Sequence, residues 1–542
     1  MANYIIVTGG VISGLGKGVT TASIGKILQL HGYKVTAIKI DPYINCDAGT
    51  LRPTEHGEVW VTEDGGEIDQ DLGHYERFLD IDIPKCQNIT TGQVYGAVIE
   101  KERQGKYLGK TVQPIPHVTD EIKERIRAPA KEGKYDFIMV EIGGTVGDYE
   151  NVLFLEAVRQ MKLEGEKIIY VHVTYVPVLK ALGEAKTKPT QHSVKLLREF
   201  GIQPDFIVAR TEKPLDDVRK EKIALFCNMH GDDVISDSNI DNVYGVALLF
   251  EEQDLCKKIL HKLNLKRKRS NLKIWEKFIA KVRKVNKPVR IGIVGKYFDI
   301  GSYKLSDSYI SVIEAVKHAA WNNNVKPHIE WIDSKIFEKH PRKLVNLDKM
   351  DGIIVPGGFG SSGIEGKIAT IKYAREHNIP YLGLCLGMQL AVVEYARNIC
   401  GLRDANTIEV DKNTTNPVID FIPEQVKLVR ESRYGATMRL GAYTAILTKG
   451  SLMQKLYGQT TVSERHRHRY EVNPKYVEIL EKSGLAFSGK SPDGILMEFM
   501  ELPTHPYFVG TQAHPEFKSR PMKPAPMFDG LIKAAKAQKA KK

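Results

Sequence analysis

The sequence predicts an α/β protein with two domains, each built on a doubly wound, mainly parallel sheet. Its 542 residues exceed the roughly 250–300 residues at which single cores stop growing. Short apolar runs rich in β-branched residues alternate with helical patterns, as is typical of parallel sheets flanked by helices. A second such series begins at Val289, after a basic stretch without a strand pattern. We therefore expect a first domain at 1–265, a helical linker at 266–288, a second domain at 289–535 and a disordered basic tail at 536–542.

The short apolar runs are the candidate strands. The sequence contains no internal repeat. In the first half they lie at 4–9, 34–40, 135–144, 167–175 and 205–210, and in the second half at 289–295, 352–358, 379–385 and 507–517. Ligands of open α/β sheets bind outside the carboxyl ends of the strands. Residues that follow these runs are therefore the first candidates for a functional site.

Charge and hydropathy exclude several classes of protein. The net charge of +12 is concentrated at 266–269, 281–288 and 533–542, which fits a solvated linker and tail rather than a nucleic-acid binder. No run approaches the ~20 apolar residues of a membrane span. The start MANYIIVTGG lacks the basic segment of a signal peptide. We expect a cytoplasmic protein with neither a nucleic-acid nor a membrane partner.

The six cysteines are scattered along the chain without CxxC pairs. This arrangement argues against a disulfide framework and against a zinc site. Five of the cysteines fit ordinary buried or half-buried thiols, and Cys385 is the exception.

Cys385 lies in a nucleophile elbow. The segment 383–387, Gly-Leu-Cys-Leu-Gly, follows a candidate strand and precedes a helical pattern, which is the cysteine form of the G-x-nucleophile-x-G turn. The N-terminus of the following helix would favour the thiolate, which is the nucleophilic form.

A base and an oxyanion site follow two other candidate strands. His514 would take the thiol proton and later return one to the leaving group, and Glu516 would orient the imidazole. The glycine-rich segment 356–360, which includes Gly358, suits an oxyanion hole. Together these residues predict Cys-His-Glu catalysis at an amide carbonyl.

This half resembles the class I glutamine amidotransferases over nearly all of 289–535. The resemblance implies hydrolysis of glutamine to glutamate and ammonia through a glutamyl thioester. The residues implied to hold glutamine are Gly358, Leu386, Gly387, Met388, Gln389, Glu409 and Arg469. His466 and His468 could suggest a metal, but we expect none because the pair lacks carboxylate or cysteine companions.

The first half opens with a phosphate-binding pattern. A candidate strand leads into the glycine-rich run SGLGKG at 13–18 and then a helix, whose N-terminus can cradle phosphates while Lys17 adds positive charge. The run departs from the standard P-loop, because Gly18 follows the lysine where Ser or Thr is usual. Its position after the first strand still predicts a P-loop NTPase-like domain.

Further charged residues suit a polyphosphate and its metal. Glu141 ends a candidate strand, and Asp71, with Asp69 as an alternative, is the second candidate ligand for Mg²⁺, which prefers few carboxylates plus water. Lys39 ends another strand. The loop 183–191, with Lys186 and Lys188, fits a second polyphosphate.

Strings from both halves identify the chain as resembling the CTP synthases over nearly its whole length. They include SGLGKG, KIDPYIN, GEVWVTEDGGEIDQDLGHYERF, EIGGTVGDYE, GEAKTKPTQHSV, GLCLGMQ, ERHRHRYEVN and AHPEF. The resemblance implies that the 1–265 domain is an amidoligase, in which ATP phosphorylates uracil O4 of UTP and ammonia then displaces the phosphate to give CTP. It also implies an ammonia tunnel near His56 and Val59.

The resemblance assigns roles residue by residue. ATP would contact Gly14, Leu15, Gly16, Lys17, Gly18, Val19, Lys39, Asp71, Asn239 and Ile240. UTP would contact Ser13, Lys186, Thr187, Lys188, Pro189, Thr190, Gln191 and Lys222. CTP would inhibit from the same triphosphate site, with its cytosine near Asp148, Tyr149 and Glu150. Mg²⁺ would be held by Asp71 and Glu141, without any organic prosthetic group.

The resemblance further implies GTP as an activator and a homotetramer. One departure bears on GTP: Ser361, Ser362 and Gly363 replace an expected bulkier, basic-aromatic pair. Two rivals remain at this point. One is another ATP-dependent amidotransferase of the cobyrinic acid amide synthase kind, and the other is a switch ATPase, which would not need a complete triad.

Overall fold

The structure, a computed structural model, describes residues 2–51, 56–179, 183–295, 299–300, 303–304, 307–358, 360, 362–421 and 438–541, with the backbone alone at 299–300, 303–304 and 307. The chain divides into two compact units. The first comprises Met1–Asp47 and Asp71–Ala280, and the second comprises Ala48–Gln70 and Lys281–Lys542. None of the helices in these described ranges has the length and apolar character of a membrane span.

The first unit contains a seven-stranded sheet in which all neighbouring strands are parallel. Its strands lie in the order Val234–Ser238, Phe206–Thr211, Ile168–Tyr175, Asn3–Gly9, Phe137–Ile142, Val35–Asp41 and Asn88–Thr90. The five predicted strands of this half are confirmed. The two edge strands were not predicted, because VISDS is half polar and NIT is too short to show a pattern.

The helices of the first unit connect these strands. They are Lys17–Leu30, Asp71–Leu79, Thr91–Arg103, Thr119–Lys131, Val152–Leu163, Lys188–Glu199, Asp217–Cys227, Val246–Glu251, Leu255–Lys262 and Leu272–Lys284. A short antiparallel pair, Val178–Leu179 with Glu184–Ala185, precedes the helix at 188. Every residue of the central strand Asn3–Gly9 is buried, as expected for a parallel strand that is covered on both faces.

The second unit contains a nine-stranded sheet. Its strands lie in the order Lys326–Asp333, Pro288–Gly295, Gly352–Val355, Tyr381–Leu384, Phe508–Thr511, Met497–Glu501, Ala486–Lys490, Arg439–Leu447 and Thr461–His468. The first five are mutually parallel and the remaining pairings are antiparallel. The four predicted strands of this half are therefore confirmed, and the antiparallel extension was missed.

Two apolar cores cover the faces of this sheet. Ile353 and Val355 belong to one core, and Ile354 between them belongs to the other, since successive strand residues point to opposite faces. The helices of this unit are Ile310–Asn322, Lys335–Lys339, Ile364–Glu376, Leu386–Asn398, Leu452–Tyr457, Pro474–Lys482 and Pro526–Lys541. The smaller strands pair Val59–Val61 with Glu67–Asp69, Asp299–Ile300 with Tyr303–Lys304, and Pro417–Phe421 with Asn406–Thr407 and Tyr470–Val472. The predicted doubly wound α/β class thus agrees with the structure.

Two predicted boundaries differ from the structure. Residues 48–70 fall within 1–265 but belong to the second unit. The helix expected in the linker at 266–288 is present as Leu272–Lys284, but its residues Trp275, Phe278 and Ile279 are buried rather than solvated. Their i, i+3, i+4 spacing forms one apolar face, and Trp275 Nε1 donates to the carbonyl of Tyr244 at 2.9 Å. Much of the predicted linker is therefore packed structure of the first unit.

The prediction of a disordered tail at 536–542 is wrong for 536–541. These residues continue the helix Pro526–Lys541. Lys536 Nζ donates to the carbonyl of Asn323 at 3.2 Å, and Lys539 Nζ donates to that of Pro288 at 2.6 Å. The lysines that suggested a disordered tail therefore connect the last turns of this helix to other parts of the second unit. Lys542 lies outside the described residues.

Candidate functional site

The predicted phosphate loop is a strand–loop–helix turn in the first unit. Gly14 and Gly16 have φ of 74° and 85°, a left-handed conformation that glycine adopts without strain. Gly16 precedes the helix Lys17–Leu30, whose first N–H groups lack partners within the helix. Lys17 Nζ donates to the carbonyl of Gly144 at 2.8 Å. Burial lowers the pKa of Lys17, although Glu141 acts in the opposite direction.

Lys39, Asp71 and Glu141 meet beside this loop. Lys39 and Glu141 are register partners on neighbouring strands. Lys39 Nζ donates to Asp71 Oδ2 and lies 4.0 Å from Glu141 Oε1. Burial and the Asp71 charge raise the pKa of Glu141 to about 7. Burial alone would raise the pKa of Asp71, but Lys39 outweighs it and holds that pKa below its ordinary value.

The two carboxylates fit a Mg²⁺ ion. A Cβ on Gly18 would lie 2.8 Å from Asp71 Oδ1 and 3.7 Å from Glu141 Oε2, so only glycine lets the loop approach both acids. The donor set is all oxygen, as hard Mg²⁺ prefers. Asp69, the alternative ligand, instead ends the strand Glu67–Asp69 of the second unit.

Two partners of Glu141 were missed from the sequence. Tyr75 Oη donates to Glu141 Oε2, and Thr21 Oγ1 donates to the same oxygen at 3.3 Å. Thr21 lies one turn into the helix that follows the phosphate loop. The position of Thr21 one turn after the loop was the sequence feature from which a hydroxyl beside Glu141 could have been predicted.

The predicted UTP loop lies next to the phosphate loop. A Cβ on Gly10 would lie 1.5 Å from Ser193 Oγ, so this glycine admits the helix Lys188–Glu199, which carries Lys188, Pro189, Thr190 and Gln191. Gln191 Nε2 donates to Thr187 Oγ1 at 3.2 Å, and Lys186 Nζ lies 2.6 Å from Glu184. Lys222 is exposed on the helix Asp217–Cys227, and Ser13 is exposed in the glycine loop.

The predicted adenine and cytosine contacts lie farther along the same sheet edge. Asn239 and Ile240 follow the outermost strand Val234–Ser238, and Asn239 Oδ1 accepts from Arg210 Nη2 at 2.9 Å. Tyr149 is 97% exposed. With Glu150 it lines a cavity of about 410 Å³ that Pro42 and Phe154 also line. Asp148 Oδ2 accepts from the backbone N–H of Thr145 at 2.8 Å.

Cys385 occupies the sharp turn predicted from its glycines. It lies between the strand Tyr381–Leu384 and the helix Leu386–Asn398, with φ 49° and ψ −104°. A Cβ on Gly387 would lie 2.0 Å from the carbonyl oxygen of Val355, so the helix start can approach the neighbouring strand only without a side chain. This strained backbone presents Sγ at the carboxyl edge of the sheet.

His514 and Glu516 meet Cys385 as predicted. His514 Nδ1 and Glu516 Oε1 are 2.7 Å apart. A Cβ on Gly357 would lie 2.9 Å from His514 Cε1 and 3.6 Å from Cys385 Cβ, so thiol and imidazole flank the same glycine. Burial alone would lower the pKa of His514, but Glu516 and Cys385 outweigh it and raise the pKa to about 10. The Glu516 carboxylate therefore favours the charged form of the imidazole.

A cavity of about 400 Å³ opens at this triad. Cys385, His514, Gly358 and Arg469 line it, with Val59 from the segment 48–70. Of the other predicted glutamine contacts, Leu386, Gly387 and Met388 are buried at the start of the helix. Because their side chains have no hydrogen-bond donor, they can donate to glutamine only through their backbone N–H groups. Gln389 Nε2 donates to the carbonyl of Tyr470 at 2.9 Å. Glu409 Oε1 accepts from the N–H of Gly360 at 2.8 Å and so holds the predicted oxyanion loop.

Some neighbours of the cavity were not predicted. Gln512 Nε2 lies 3.5 Å from Cys385 Sγ. Glu63 pairs with Arg465 Nε at 2.9 Å and with Lys518 Nζ at 2.7 Å. Glu67 accepts from Arg467 Nε at 2.8 Å, and the carbonyl of Arg467 lies 3.8 Å from Cys385 Sγ. The segment 48–70 thus holds the strand whose backbone faces the nucleophile.

His466 and His468 have the carboxylate neighbours that the sequence did not suggest. Glu498 lies 3.7 Å from His466 Nε2, and Glu471 lies 3.5 Å from His468 Nε2. Arg439 pairs with both acids, at 2.7 Å and 3.1 Å. Burial lowers the pKa of both histidines well below its ordinary value. This is a buried network neutralised by a guanidinium, which disfavours a metal cation.

The melting temperature of the protein is expected to fall as the pH rises from about 7 to about 10. The pKa of His514 is raised to about 10 from an ordinary value of about 6.5, so the stability that its protonation contributes is fully present below about 6.5 and is lost as the pH rises through about 10. Thermal unfolding followed by circular dichroism across this range measures the effect. In His514→Ala the fall should be smaller, and equal profiles for the two proteins would contradict the raised pKa of His514.

Two family profiles cover most of the chain. The family described as "CTP synthase N-terminus" matches residues 3–265, and the one described as "Glutamine amidotransferase class-I" matches residues 304–534. Their limits separate the phosphate-loop residues from the triad residues. The segment 48–70, which packs with the second unit, falls within the first profile.

Curated relatives match over the full length. The CTP synthase of Pyrococcus furiosus is 56% identical over 545 residues, which cover 100% of this chain and 99% of that protein. The CTP synthase of Methanocaldococcus jannaschii is 54% identical, with 99% of each chain covered. Among solved structures, the glutaminase domain of Trypanosoma brucei CTPS with bound acivicin is 40% identical over 46% of this chain and 94% of that chain, with a TM-score of 0.42.

Proposed function

The chain belongs to the CTP synthase family, and from that membership we propose how its two sites divide the reaction. It is an enzyme, a glutamine-dependent ligase that converts UTP to CTP with ATP in pyrimidine biosynthesis. The second unit would release ammonia from glutamine and the first would use it. One observation supports this division: His514 contacts Glu516 in the second unit, whereas Lys17 contacts Gly144 and Lys39 contacts Asp71 in the first, so the two units offer chemically different groups.

The triad would hydrolyse glutamine in two steps. Cys385 Sγ attacks the amide carbon, and the proton on His514 passes to the departing ammonia, which leaves a glutamyl thioester. Water then attacks the thioester carbon, gives its proton to His514, and glutamate leaves as the sulfur is regenerated. Glu516 supports the protonated imidazole through its 2.7 Å contact. The backbone at Gly358, which lines the cavity, would stabilise the oxyanion.

The first unit would activate the pyrimidine. The helix start at Lys17 and the ammonium of Lys39 would bind the phosphates of ATP, and the loop 186–191 would bind those of UTP. Asp71 and Glu141 would hold Mg²⁺, which supplies neutralisation of charge on the transferred phosphoryl group. Uracil O4 takes the phosphoryl group from ATP, ammonia adds at C4, and inorganic phosphate leaves. ADP and CTP are the products.

Regulation, assembly and location are the finer parts of the proposal. CTP would inhibit with its cytosine at the cavity beside Tyr149 and Glu150, whose mixture of apolar and acidic lining supports a base-binding role. Exposed Ile44 and Tyr149 beside that cavity offer apolar surface to the proposed homotetramer. The GTP activator site remains a prediction. Ser361, one of the residues that replace the basic-aromatic pair expected at that site, lies outside the described residues. A cytoplasmic location also remains a prediction.

Product analysis tests the proposal directly. The protein is mixed with UTP, ATP, Mg²⁺ and glutamine, and nucleotides and glutamate are separated and quantified. We expect CTP, ADP and glutamate in equal amounts, and no CTP when any one of the four components is omitted. If UTP stays unaminated both with glutamine and with ammonium chloride, the proposed reaction is wrong.

A further inference from the structure

The far end of the phosphate-loop helix carries a second cluster of metal-ligating side chains. The helix Lys17–Leu30 ends at His31, and His31 Nε2 lies 2.8 Å from Glu251 Oε1. Glu251 ends the helix Val246–Glu251, and Cys256 lies in the first turn of the helix Leu255–Lys262. One ligand atom from each of these three residues lies within 4.8 Å of the others. In the described parts of the chain, this is the one such group of three.

The cluster contains buried polar atoms that lack partners. His31 and Cys256 are 0% and 1% exposed, and Glu251 is half-buried. His31 Nδ1 and Glu251 Oε2 are buried, and neither forms a hydrogen bond within the described residues. An unsatisfied buried donor or acceptor destabilises the folded chain. Atoms of these two kinds are also those that coordinate metals.

We propose that His31, Glu251 and Cys256 bind a structural Zn²⁺ ion. Nitrogen, oxygen and sulfur ligands together suit Zn²⁺ better than Mg²⁺ or Ca²⁺, which take oxygen. Zinc lies at about 2.0–2.3 Å from such ligands, so small side-chain rotations would bring the three atoms onto one ion. A water molecule would fill the fourth position. Binding releases the Cys256 thiol proton to solvent as the Zn–S bond forms.

The nearby positive charge does not block this site. Arg267 Nη2 lies 3.6 Å from Glu251 Oε1, but the Arg267 side chain is 59% exposed. The guanidinium can therefore swing into water when a cation takes its place. The negative end of the helix Lys17–Leu30 also points at the cluster, and it favours a cation there.

The position gives the ion a structural role. It would join the end of the helix Lys17–Leu30 to the two helices that carry Glu251 and Cys256. The same helix begins at the phosphate loop. The ion would therefore stabilise, at its opposite end, the helix that presents Lys17. Binding of the ion needs neither nucleotide nor glutamine. The sequence argued against zinc because the cysteines form no CxxC pair, and it could not show that His31 meets Glu251, which lies 220 positions away along the chain.

Cobalt absorption tests the site. Full-length protein carrying Cys385→Ala, which removes the other thiol–imidazole pair, is stripped with EDTA and titrated with Co²⁺. We expect a thiolate-to-cobalt charge-transfer band that saturates at one cobalt per chain, and Zn²⁺ should displace it. Absence of the band overturns the proposal and leaves His31 and Glu251 as an ion pair only.

Variants assign the band to its ligands. In the same background, Cys256→Ser should abolish it, and His31→Asn should weaken Zn²⁺ binding by at least about tenfold, the lower end of what loss of even an outer-shell partner costs. Glu251→Gln keeps the side-chain shape and replaces His31→Asn if that variant does not fold. Cys227→Ser is the matched control, because Cys227 is a buried thiol of the same unit outside the cluster. A band that survives Cys256→Ser refutes the assignment.

Discussion

Replacing Cys385 with alanine is expected to abolish CTP formation from glutamine and to leave formation from ammonium salts largely intact. The sulfur and His514 both line the 400 Å³ cavity, and the described residues of that cavity include no other cysteine. Loss of a catalytic nucleophile costs at least about 10⁴-fold in turnover. The two rates are measured by CTP release, with glutamine or ammonium chloride as the nitrogen source.

Cys400→Ala is the matched control for this experiment. Cys400 is half-buried in the same unit, with Sγ 4.0 Å from the carbonyl of Ile479, and it does not line the cavity. Both rates should stay near those of the unmodified protein. If Cys385→Ala loses both activities while its circular dichroism and melting temperature are unchanged, the division of labour between the units is wrong.

Replacing Asp71 with asparagine is expected to reduce CTP formation by about 10²–10³-fold, the usual cost of losing one preorganised electrostatic group. The loss should be the same with glutamine and with ammonia, because Asp71 lies against Gly18 and Lys39 at the phosphate loop. The amide keeps the shape of the side chain and removes its charge. Glutamate release from glutamine, assayed separately, should persist.

Asp69→Asn separates the two candidate metal ligands. Asp69 is only two positions away but lies in a strand of the second unit, so its change should cost less than tenfold. A Mg²⁺ titration of each variant reports whether the metal requirement has moved. Equal losses in the two variants, or a loss in Asp71→Asn confined to glutamine as nitrogen source, would contradict the proposed role of Asp71.

The triad was accessible from the sequence because its signals are local and the sheet is parallel. Cys385 and His514 each follow a short apolar run, and those runs form adjacent strands in which Leu384 pairs with Thr511. Lys39 and Glu141 were predicted at the ends of two separate strands, and the structure makes them register partners on neighbouring strands. In each case strand order does the positioning, and residues after neighbouring parallel strands must meet.

Other contacts left no local signal. The pairing of Glu63 with Arg465 joins residues 402 positions apart, and no pattern near either residue names its partner. The basic segments at 266–288 and 533–542 resembled solvated linker and tail because composition records charge but not contact. In the structure, Trp275 is buried in the first unit and Lys539 donates to a backbone carbonyl.

The amino-acid sequence by itself determined the α/β class, the two reactive centres and the chemistry of each. Nucleophile elbows, phosphate loops and strands are each recognised from a pattern of consecutive residues. Only the tertiary structure decided that the segment 48–70 packs with the second unit and that His31 meets Cys256. Such pairings depend on how whole elements pack. Many sequences satisfy the packing of one surface, so the pairing is a property of the folded chain rather than of any short stretch.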